Sequence, residues 1–304
     1  MQCIKCSKEA VEYVRYNGSH LCEEHFLEYV ERRVKKEIRQ QVDLEGKSKV
    51  AVALSGGKDS SVALYIMHLA LRQRRDISVV AITVDEGISG YRPRTMEKAK
   101  ELTRSLGIEH LVISFQGEVG MTMDGIAKAS GDKGPCTYCG VIRRRCMNKV
   151  ARDVGADVLA TGLNLDDTAQ SILMNFTRGD VERLARLGPH QKVQPGLIPR
   201  IQPLRAIPEK ESYLYAMLRR LPFSDDECPY ADLALRNEYR AIVDGLEAKH
   251  TGTKFAIVAS YDAIRPSLAV RYPQADLQLC DCGEPTCNQR CMACELLEEV
   301  RKMV

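Results

Sequence analysis

Twelve cysteines and one short glycine-bearing turn hold most of the chemistry in this chain of 304 residues. The turn, Ser55-Gly56-Gly57-Lys58-Asp59-Ser60, follows the apolar run Val50-Ala51-Val52-Ala53-Leu54 and precedes a helix-like stretch. Strand, glycine pair and helix in that order make a phosphate cradle. The glycines let backbone N–H groups converge on an anion, and the start of the helix adds its positive pole. Ser55, Lys58 and Ser60 add hydrogen bonds and charge. The spacing is neither the GxxxxGKS/T of a Walker loop nor the GxGxxG of a dinucleotide loop. A plain surface turn is the competing reading, and the order of strand, turn and helix argues against it.

The cysteines fall into three groups. Cys3-x2-Cys6 and Cys22-x2-His25 are two close pairs separated by fifteen residues. Three thiolates and one imidazole close a tetrahedron, so a structural zinc is expected there. His20 lies off that spacing and reads as a surface histidine. Near the other end, Cys280, Cys282, Cys291 and Cys294 read as a second zinc site, with Cys287 the alternative to Cys280 and a redox or disulfide role the competing use. The third group, Cys136-Thr137-Tyr138-Cys139, stands mid-chain with no second close pair and cannot close a zinc site alone. With Cys228 as a third thiolate it suits a 4Fe–4S cluster with one iron open to bind sulfide. A thioredoxin-like pair is the rival, but that motif belongs at the start of a helix in a different fold. Cys146, seven residues past Cys139, is expected to pack on the same helix, with a reserve ligand role as the alternative.

The elements that must position these groups follow from composition and periodicity. With 44% hydrophobic and 28% charged residues, the chain can bury a sizeable core and should be globular. No stretch approaches the roughly 18 apolar residues of a membrane span. The opening Met-Gln-Cys-Ile-Lys-Cys lacks the regions of a signal peptide, so the cytoplasm is the expected location. There, cysteines argue for metal chemistry over disulfides. A net charge of +3 is too small to imply nucleic acid by itself, so local basic patches must do so.

From Phe26 to Gln41 a charged helix is predicted, with Leu27, Val30, Val34 and Ile38 on one side. Strands are then expected over 49–54, 77–84, 110–115 and 157–161, alternating with helices over 58–72, 92–106, 140–154 and 165–176. Such alternation predicts an α/β fold with a doubly wound parallel sheet, whose ligands bind beyond the carboxyl ends of the strands. Asp85-Glu86-Gly87 and Thr161-Gly162-Leu163-Asn164 would line that crevice beside the cradle. Asp166 and Asp167 would open a helix there, either as ordinary caps or holding Mg²⁺ through ATP phosphates, and Asp59 invites the same question. Residues 178–211 form a long basic segment punctuated by prolines, suited to phosphate contact. Helices are expected over 209–221 and 232–249. The expected division is an N-terminal zinc finger over 1–26, a linker helix over 27–48, a catalytic domain over 49–250 and a C-terminal segment with the second finger over 251–304.

The Ser-Gly-Gly-Lys-Asp-Ser turn resembles the PP-loop of ATP pyrophosphatases. Over nearly its whole length the chain resembles the tRNA 2-thiouridine synthetases of the TtuA and NcsA group, most closely the archaeal ones. Four features in order carry this: the CxxC…CxxH start, the loop, Pro-Cys-Thr-Tyr-Cys-Gly-Val-Ile-Arg-Arg, and Pro-Arg-Ile-Gln-Pro-Leu-Arg followed by Ile-Pro-Glu-Lys-Glu. The resemblance implies ATP- and Mg²⁺-dependent adenylation of the uracil C2 oxygen, after which sulfur displaces AMP. It implies a cluster on Cys136, Cys139 and Cys228 that carries the incoming sulfur. ATP contacts are implied at Ala53, Leu54, Ser55, Gly56, Gly57, Lys58, Asp59, Ser60, Ile82 and Gly162. It also implies tRNA as substrate, a homodimer, no membrane, and a sulfur donor that is sulfide, a persulfide or a ubiquitin-like thiocarboxylate protein. The zinc fingers and the basic segment would grip the tRNA backbone, with the target base turned out into the crevice.

Three departures matter. Leu163 stands where the family often has histidine, Arg143 where some relatives have a catalytic lysine, and Cys280-x-Cys282 where CxxC is usual. Arginine clamps phosphate but does not readily give up a proton, so Asp59 or Asp167 would substitute in proton transfer. Competing readings are a tRNA 2-thiocytidine enzyme, which lacks flanking zinc sites, an amide- or lysidine-forming PP-loop ligase, which needs no central cysteine pair, and a zinc-ribbon RNA-binding protein without catalysis.

Overall fold

The computed structural model describes residues 1–44, 46–130, 133–189, 194–233, 235–273 and 275–303. Residues 190–193 of the basic segment and Ala234 of the helix expected over 232–249 lie outside the described residues. The chain opens with a hairpin, β1 (Glu12–Val14) and β2 (Ser19–Leu21), and helix α1 (Glu23–Gln41). Then come β3 (Ser48–Ala53), α2 (Lys58–Leu71), β4 (Ile77–Asp85), α3 (Arg92–Leu106), β5 (Glu109–Ser114), α4 (Phe115–Val119), α5 (Met123–Ala129) and α6 (Pro135–Asp153). The second half runs β6 (Val158–Ala160), α7 (Leu165–Thr177), α8 (Val181–Ala185), β7 (Arg200–Ile201), α9 (Glu209–Leu218), a 3₁₀ turn at Ala231–Leu233, α10 (Arg236–Lys249) and α11 (Thr253–Arg271). A short hairpin, β8 (Gln278–Leu279) and β9 (Pro285–Thr286), leads into α12 (Met292–Met303).

Five strands form one parallel sheet in the order β5-β4-β3-β6-β7. The chain builds outward from β3 to β5 and then returns to the other side of β3. The reversal falls between β3 and β6, the place where an open parallel sheet leaves a crevice past its carboxyl ends. Along β3, side chains alternate between the two faces. Val50 and Val52 join a core with α1, α2 and α9, whereas Ala51 joins Ala151 and Leu159 beneath α6. Helix α2 is covered on all sides, with Val62, Ala63, Leu64, Ile66 and Met67 fully buried. Each large apolar side chain buried in this way stabilises the fold by about 1.5–3 kcal/mol.

The expected doubly wound sheet is therefore present, but several local expectations need correction. The helix expected over 140–154 begins at Pro135, because proline at the first helical position lacks only an N–H the helix would not use. Cys136 and Cys139 thus sit on its first turns. Helix α11 falls in the stretch assigned only to a C-terminal finger segment. Its pattern was faint, since only Val258 and Tyr261 are buried and Pro266 lies within it. The basic segment is not wholly irregular, since it contains α8 and β7. Helix α9 stops at Leu218, before Arg220 with its φ of 50°. The fold contains no helix, among the described residues, long and apolar enough to cross a membrane.

Helix α1 also buries one of its many charges. Arg33 Nη1 lies 2.9 Å from Glu211 Oε2 on α9, with side chains 18% and 6% exposed. Tyr16 Oη donates to Glu211 Oε1 at 2.6 Å, and the Arg33 guanidinium rests over the rings of Tyr16, Tyr29 and Phe255. One ion pair therefore ties the N-terminal unit to α9 and α11. Glu211→Ala should lower unfolding free energy by about 3–5 kcal/mol, because it strands a buried guanidinium. Urea denaturation checks this, and a loss below about 1 kcal/mol would show that the pair holds nothing together.

Candidate active site and metal centres

A crevice of about 830 Å³ opens at the reversal point. Of the residues expected at ATP, Ala53, Leu54, Ser55, Gly57, Lys58, Asp59, Ser60, Ile82 and Gly162 line it. Gly56 acts through its backbone. Its φ is +87°, and a Cβ there would stand 1.9 Å from the Thr95 carbonyl oxygen. The loop is held by its own serines: Ser60 Oγ accepts from Ser55 N–H at 3.1 Å and donates to the Gly57 carbonyl at 2.9 Å. Gly57 caps α2 without a side-chain bond, which leaves first-turn N–H groups for an outside acceptor. From the other side of the reversal, Gly162 meets the loop so closely that a Cβ would lie 2.8 Å from Ser60 N.

Lys58 Nζ pairs with Glu209 at 2.7 Å and Asp59 at 3.2 Å. Burial pushes the Asp59 carboxyl above its ordinary range, against the pull of Lys58. Of the two readings of Asp166 and Asp167, capping is present at Asp167, and the two carboxylates face different partners. Asp166 accepts from Glu209 N–H at 2.8 Å and bonds Lys254, which faces it toward α9 and α11. Asp167 completes a capping box with Asn164 and pairs with Arg236 at 3.2 Å. Burial raises it too, with Arg236 opposing.

Glu86 is the central charge that sequence reasoning placed only in a turn. It is 4% exposed. Its Oε2 lies 3.0 Å from Arg92 Nε and its Oε1 lies 3.7 Å from Arg143 Nη1. Arg92 in turn donates to the Ser55 carbonyl at 2.8 Å. Glu86 therefore links the loop to Arg143. A carboxylate directly after a strand was the only signal available for it. Arg92, at the start of α3, carried none.

Arg143 lies one helical turn past Cys139. Burial lifts the Cys139 thiol to about 11, opposed by Arg143 and reinforced by Cys228 and Cys136. Burial also raises Cys228. Cys136, at the exposed end, approaches the Tyr230 carbonyl at 3.5 Å. The fold thus brings the expected three thiols to one place from α6 and the segment before the 3₁₀ turn. The pair starts a helix, as a thioredoxin-like motif would, but it does so in a different fold, beside a five-stranded parallel sheet. Cys146 is fully buried in the adjacent core beside Glu118 and Arg145 and is pushed up to about 12, chiefly by burial.

The outer cysteines are spaced differently. Cys3, Cys6, Cys22 and His25 form one group and Cys280, Cys282, Cys291 and Cys294 another, with the ligand atoms of each within 4.8 Å of one another. Tetrahedral zinc with bonds of about 2.3 Å to sulfur and about 2.0 Å to nitrogen places sulfurs about 3.8 Å apart and sulfur and nitrogen about 3.5 Å apart. The Cys6–Cys22 distance is 3.7 Å, and Nδ1 of His25 lies 3.3, 3.5 and 3.3 Å from Cys3, Cys6 and Cys22. In the second group the pairs Cys280–Cys294 and Cys282–Cys291 stand at 4.0 and 3.5 Å. Both donor sets fit one zinc each. Cys280, not the exposed Cys287, belongs to the second. His20 stacks on Tyr13 with ring centroids 4.4 Å apart. The central trio is not among the groups closed to that distance among the described residues. Three thiols without a close fourth suit a larger multi-iron group.

Residues 27–246 match the PP-loop domain family, and residues 2–27 match the family described as 2-thiouridine synthetase TtuA, N-terminal LIM domain. The tRNA 2-thiolation protein NcsA of Haloferax volcanii is 38% identical, covering 99% of both chains. The chain belongs to the TtuA/NcsA family of PP-loop tRNA 2-thiolation enzymes. A solved structure, the U34-tRNA thiolase NcsA of Methanococcus maripaludis with its 4Fe–4S cluster, aligns with a TM-score of 0.85 at 35% identity. It covers 98% of this chain and 96% of that one. The tRNA-5-methyluridine(54) 2-sulfurtransferase of Pyrococcus horikoshii is 33% identical over 97% of this chain and 93% of its own. TtuA/NcsA relatives named for different uridines thus share this architecture.

Two expectations for this TtuA/NcsA-family chain follow from the geometry. Gly162→Ala pushes a methyl into the PP-loop backbone and should weaken ATP binding at least about tenfold in titration calorimetry; unchanged affinity would mean the close approach does not shape the loop. The purified chain should hold about two zinc ions, with Cys22→Ser and Cys294→Ser each losing about one by atomic emission. Retention of both metals in either variant would exclude that group as a ligand set.

Proposed function

We propose that the chain converts a tRNA uridine to 2-thiouridine in the cytoplasm, by adenylating its C2 oxygen with ATP and Mg²⁺ and then exchanging that oxygen for sulfur. The observation that carries this reading is the crevice itself. The PP-loop lines it, as do Gly140, Arg143 and Glu227, chain neighbours of the central cysteines, and Glu86 joins Arg92, which holds the loop, to Arg143.

Adenylation forms a bond from the uracil C2 oxygen to the α-phosphorus and releases pyrophosphate. Backbone N–H groups of Gly57, Lys58, Asp59 and Ser60 suit the charge that grows on the leaving pyrophosphate. Ala53, Leu54 and Ile82 line the adenine side through strand ends β3 and β4. Asp59, a crevice carboxylate carried by the PP-loop itself and paired with Lys58, would stand beside the phosphates of MgATP. Arg143 stays cationic and holds the phosphate of the adenylated base beside the thiols. In the second step sulfur attacks C2, the C2–O bond breaks and AMP leaves with the oxygen. The donor sulfur is sulfide, or a persulfide whose S–S bond a second thiol then cleaves with formation of a disulfide, or a protein thiocarboxylate whose acyl–sulfur bond water then cleaves.

A 4Fe–4S group held by Cys136, Cys139 and Cys228 supplies, when bound, an iron lacking a protein thiolate at which incoming sulfur is kept near C2. The donor set fits, and the likeness to a relative whose structure holds that cluster supports it. The role of the chain is to hold Cys139 and Cys228 half-buried, leave Cys136 at the exposed end, and place Arg143 beside them. Arg143→Lys then separates charge from proton transfer, because lysine shares the charge but loses a proton more readily.

Anaerobically purified protein should hold about four irons and about four acid-labile sulfides per chain. Both should be lost in Cys136→Ser, Cys139→Ser and Cys228→Ser and kept in Cys146→Ser. Zinc alone in every preparation would sink the cluster reading and favour persulfide chemistry at the central pair.

A further inference from the structure

We propose that Arg144 and Arg200 form a phosphate pocket on the β6–β7 side of the crevice, which holds a backbone phosphodiester of the tRNA beside the nucleotide being modified. The proposal rests on the tRNA reading above and deepens it.

Seven arginines line the crevice. Five have carboxylates: Arg92 and Arg143 share Glu86, Arg186 meets Glu182, Arg236 meets Asp167 and Arg240 meets Glu209. Arg144 and Arg200 are the exceptions. Among the described residues neither has a carboxylate at ion-pair distance. Arg200 Nε is buried with no hydrogen-bond partner, and a buried donor left open calls for an acceptor.

The elements bring both side chains to the lining of one crevice. In β7, Ile201 turns into the core with Val52 and Leu204, so Arg200 faces the opposite side, beneath α6. Arg144 comes down from α6, and its guanidinium folds back over Gly140, where a Cβ would lie 3.6 Å from Nη1. Burial, and then repulsion from Arg144, pull Arg200 down to about 10. The neighbouring Glu284 is already engaged by Arg152 at 3.6 Å and by Asn148 at 3.5 Å. Two cations held together with no anion between them gain from binding one.

Phosphate here can come from ATP or from RNA, and position favours RNA. The PP-loop follows β3 and the adenine side runs toward β4. Strand β7 lies two strands away in the other direction, about 10 Å at ordinary strand spacing. The nucleotide therefore fills one half of the crevice and the Arg144–Arg200 pocket edges the other.

Binding of an unmodified tRNA transcript across a salt series, and of ATP by calorimetry, tests this in wild type, Arg144→Gln, Arg200→Gln and Arg200→Lys. Each glutamine variant should bind tRNA about five- to tenfold more weakly with a salt slope smaller by about 0.7–0.9, while ATP affinity stays within about twofold. Arg200→Lys should keep the slope. Because Arg144 is exposed, Arg144→Gln remains a fair test even where Arg200→Gln fails to fold. Unchanged tRNA affinity and slope in Arg144→Gln would overturn the pocket. Loss of ATP affinity with tRNA binding intact would overturn it by giving the pocket to the nucleotide. Wild-type binding and thiolation alongside unchanged variants would sink the pocket alone. A wild type that binds no tRNA would sink the tRNA reading and the pocket with it.

Discussion

The close approach of Gly162 to Ser60 sets the geometry of everything around it. Two strands that part at β3 and β6 bring their following turns within backbone contact, with no room for a Cβ between them. On the far side Gly56 meets Thr95 in the same way. A loop clamped from both sides cannot collapse onto its own N–H groups, so the anion site is built before any anion arrives. Preorganisation of this kind lets electrostatic stabilisation act without rearrangement when charge develops. The crevice exists because the sheet reverses there. The reversal in turn depends on a β3 apolar on both faces, with Val50 and Val52 packed to one side and Ala51 to the other.

Charge is distributed unequally around that crevice. Most of its arginines are neutralised in pairs, and those pairs bridge elements distant in sequence: α3 and α6 through Glu86, α7 and α10 through Asp167 and Arg236. Such pairs contribute little net stability once desolvation is counted, but breaking one leaves a stranded charge. They act as positional constraints. Glu86 illustrates this, since one carboxylate sets both the arginine that braces the loop and the arginine beside the thiols. Motion on one side of the crevice is thereby felt on the other.

Much of this was legible in the sequence where physics is local. The phosphate loop, the alternation of strand and helix, and the two outer cysteine groups depend on short-range spacing, and the structure assembles each of them. The reading weakened wherever tertiary context decided. The helix expected from residue 140 starts already at Pro135, a difference that hinges on which N–H groups the helix needs. Asp166 and Asp167 share one sequence motif yet face different partners, Lys254 and Arg236, supplied by helices about seventy to ninety residues away. Nothing in the sequence sets Arg33 apart from the other basic residues of α1, and only the docking of α9 and α11 reveals its buried place. Strand β7 is two residues long and carries no period to detect.

The contrast between the outer and central cysteines follows from the same reasoning. In each outer group one thiol is pulled down, Cys3 to about 6 against burial by N–H groups of Cys22 and Lys5, and Cys280 to about 7 by N–H groups of Cys282 and Cys291. Their partners resist: Cys6 is raised despite a hydrogen bond from Lys8, as burial and the neighbouring thiols prevail. Sulfurs packed this closely can all become thiolates only around a single small cation, which is why short distances and a closed shell belong together. Of the central thiols, Cys139 and Cys228 are raised mainly by burial, and both feel the opposing charge of Arg143. A site arranged like that keeps its charge available to a larger group and to the chemistry in the crevice. The outer groups are closed sets of four ligand atoms, whereas the central cysteines stay open beside Arg143, which lines the crevice.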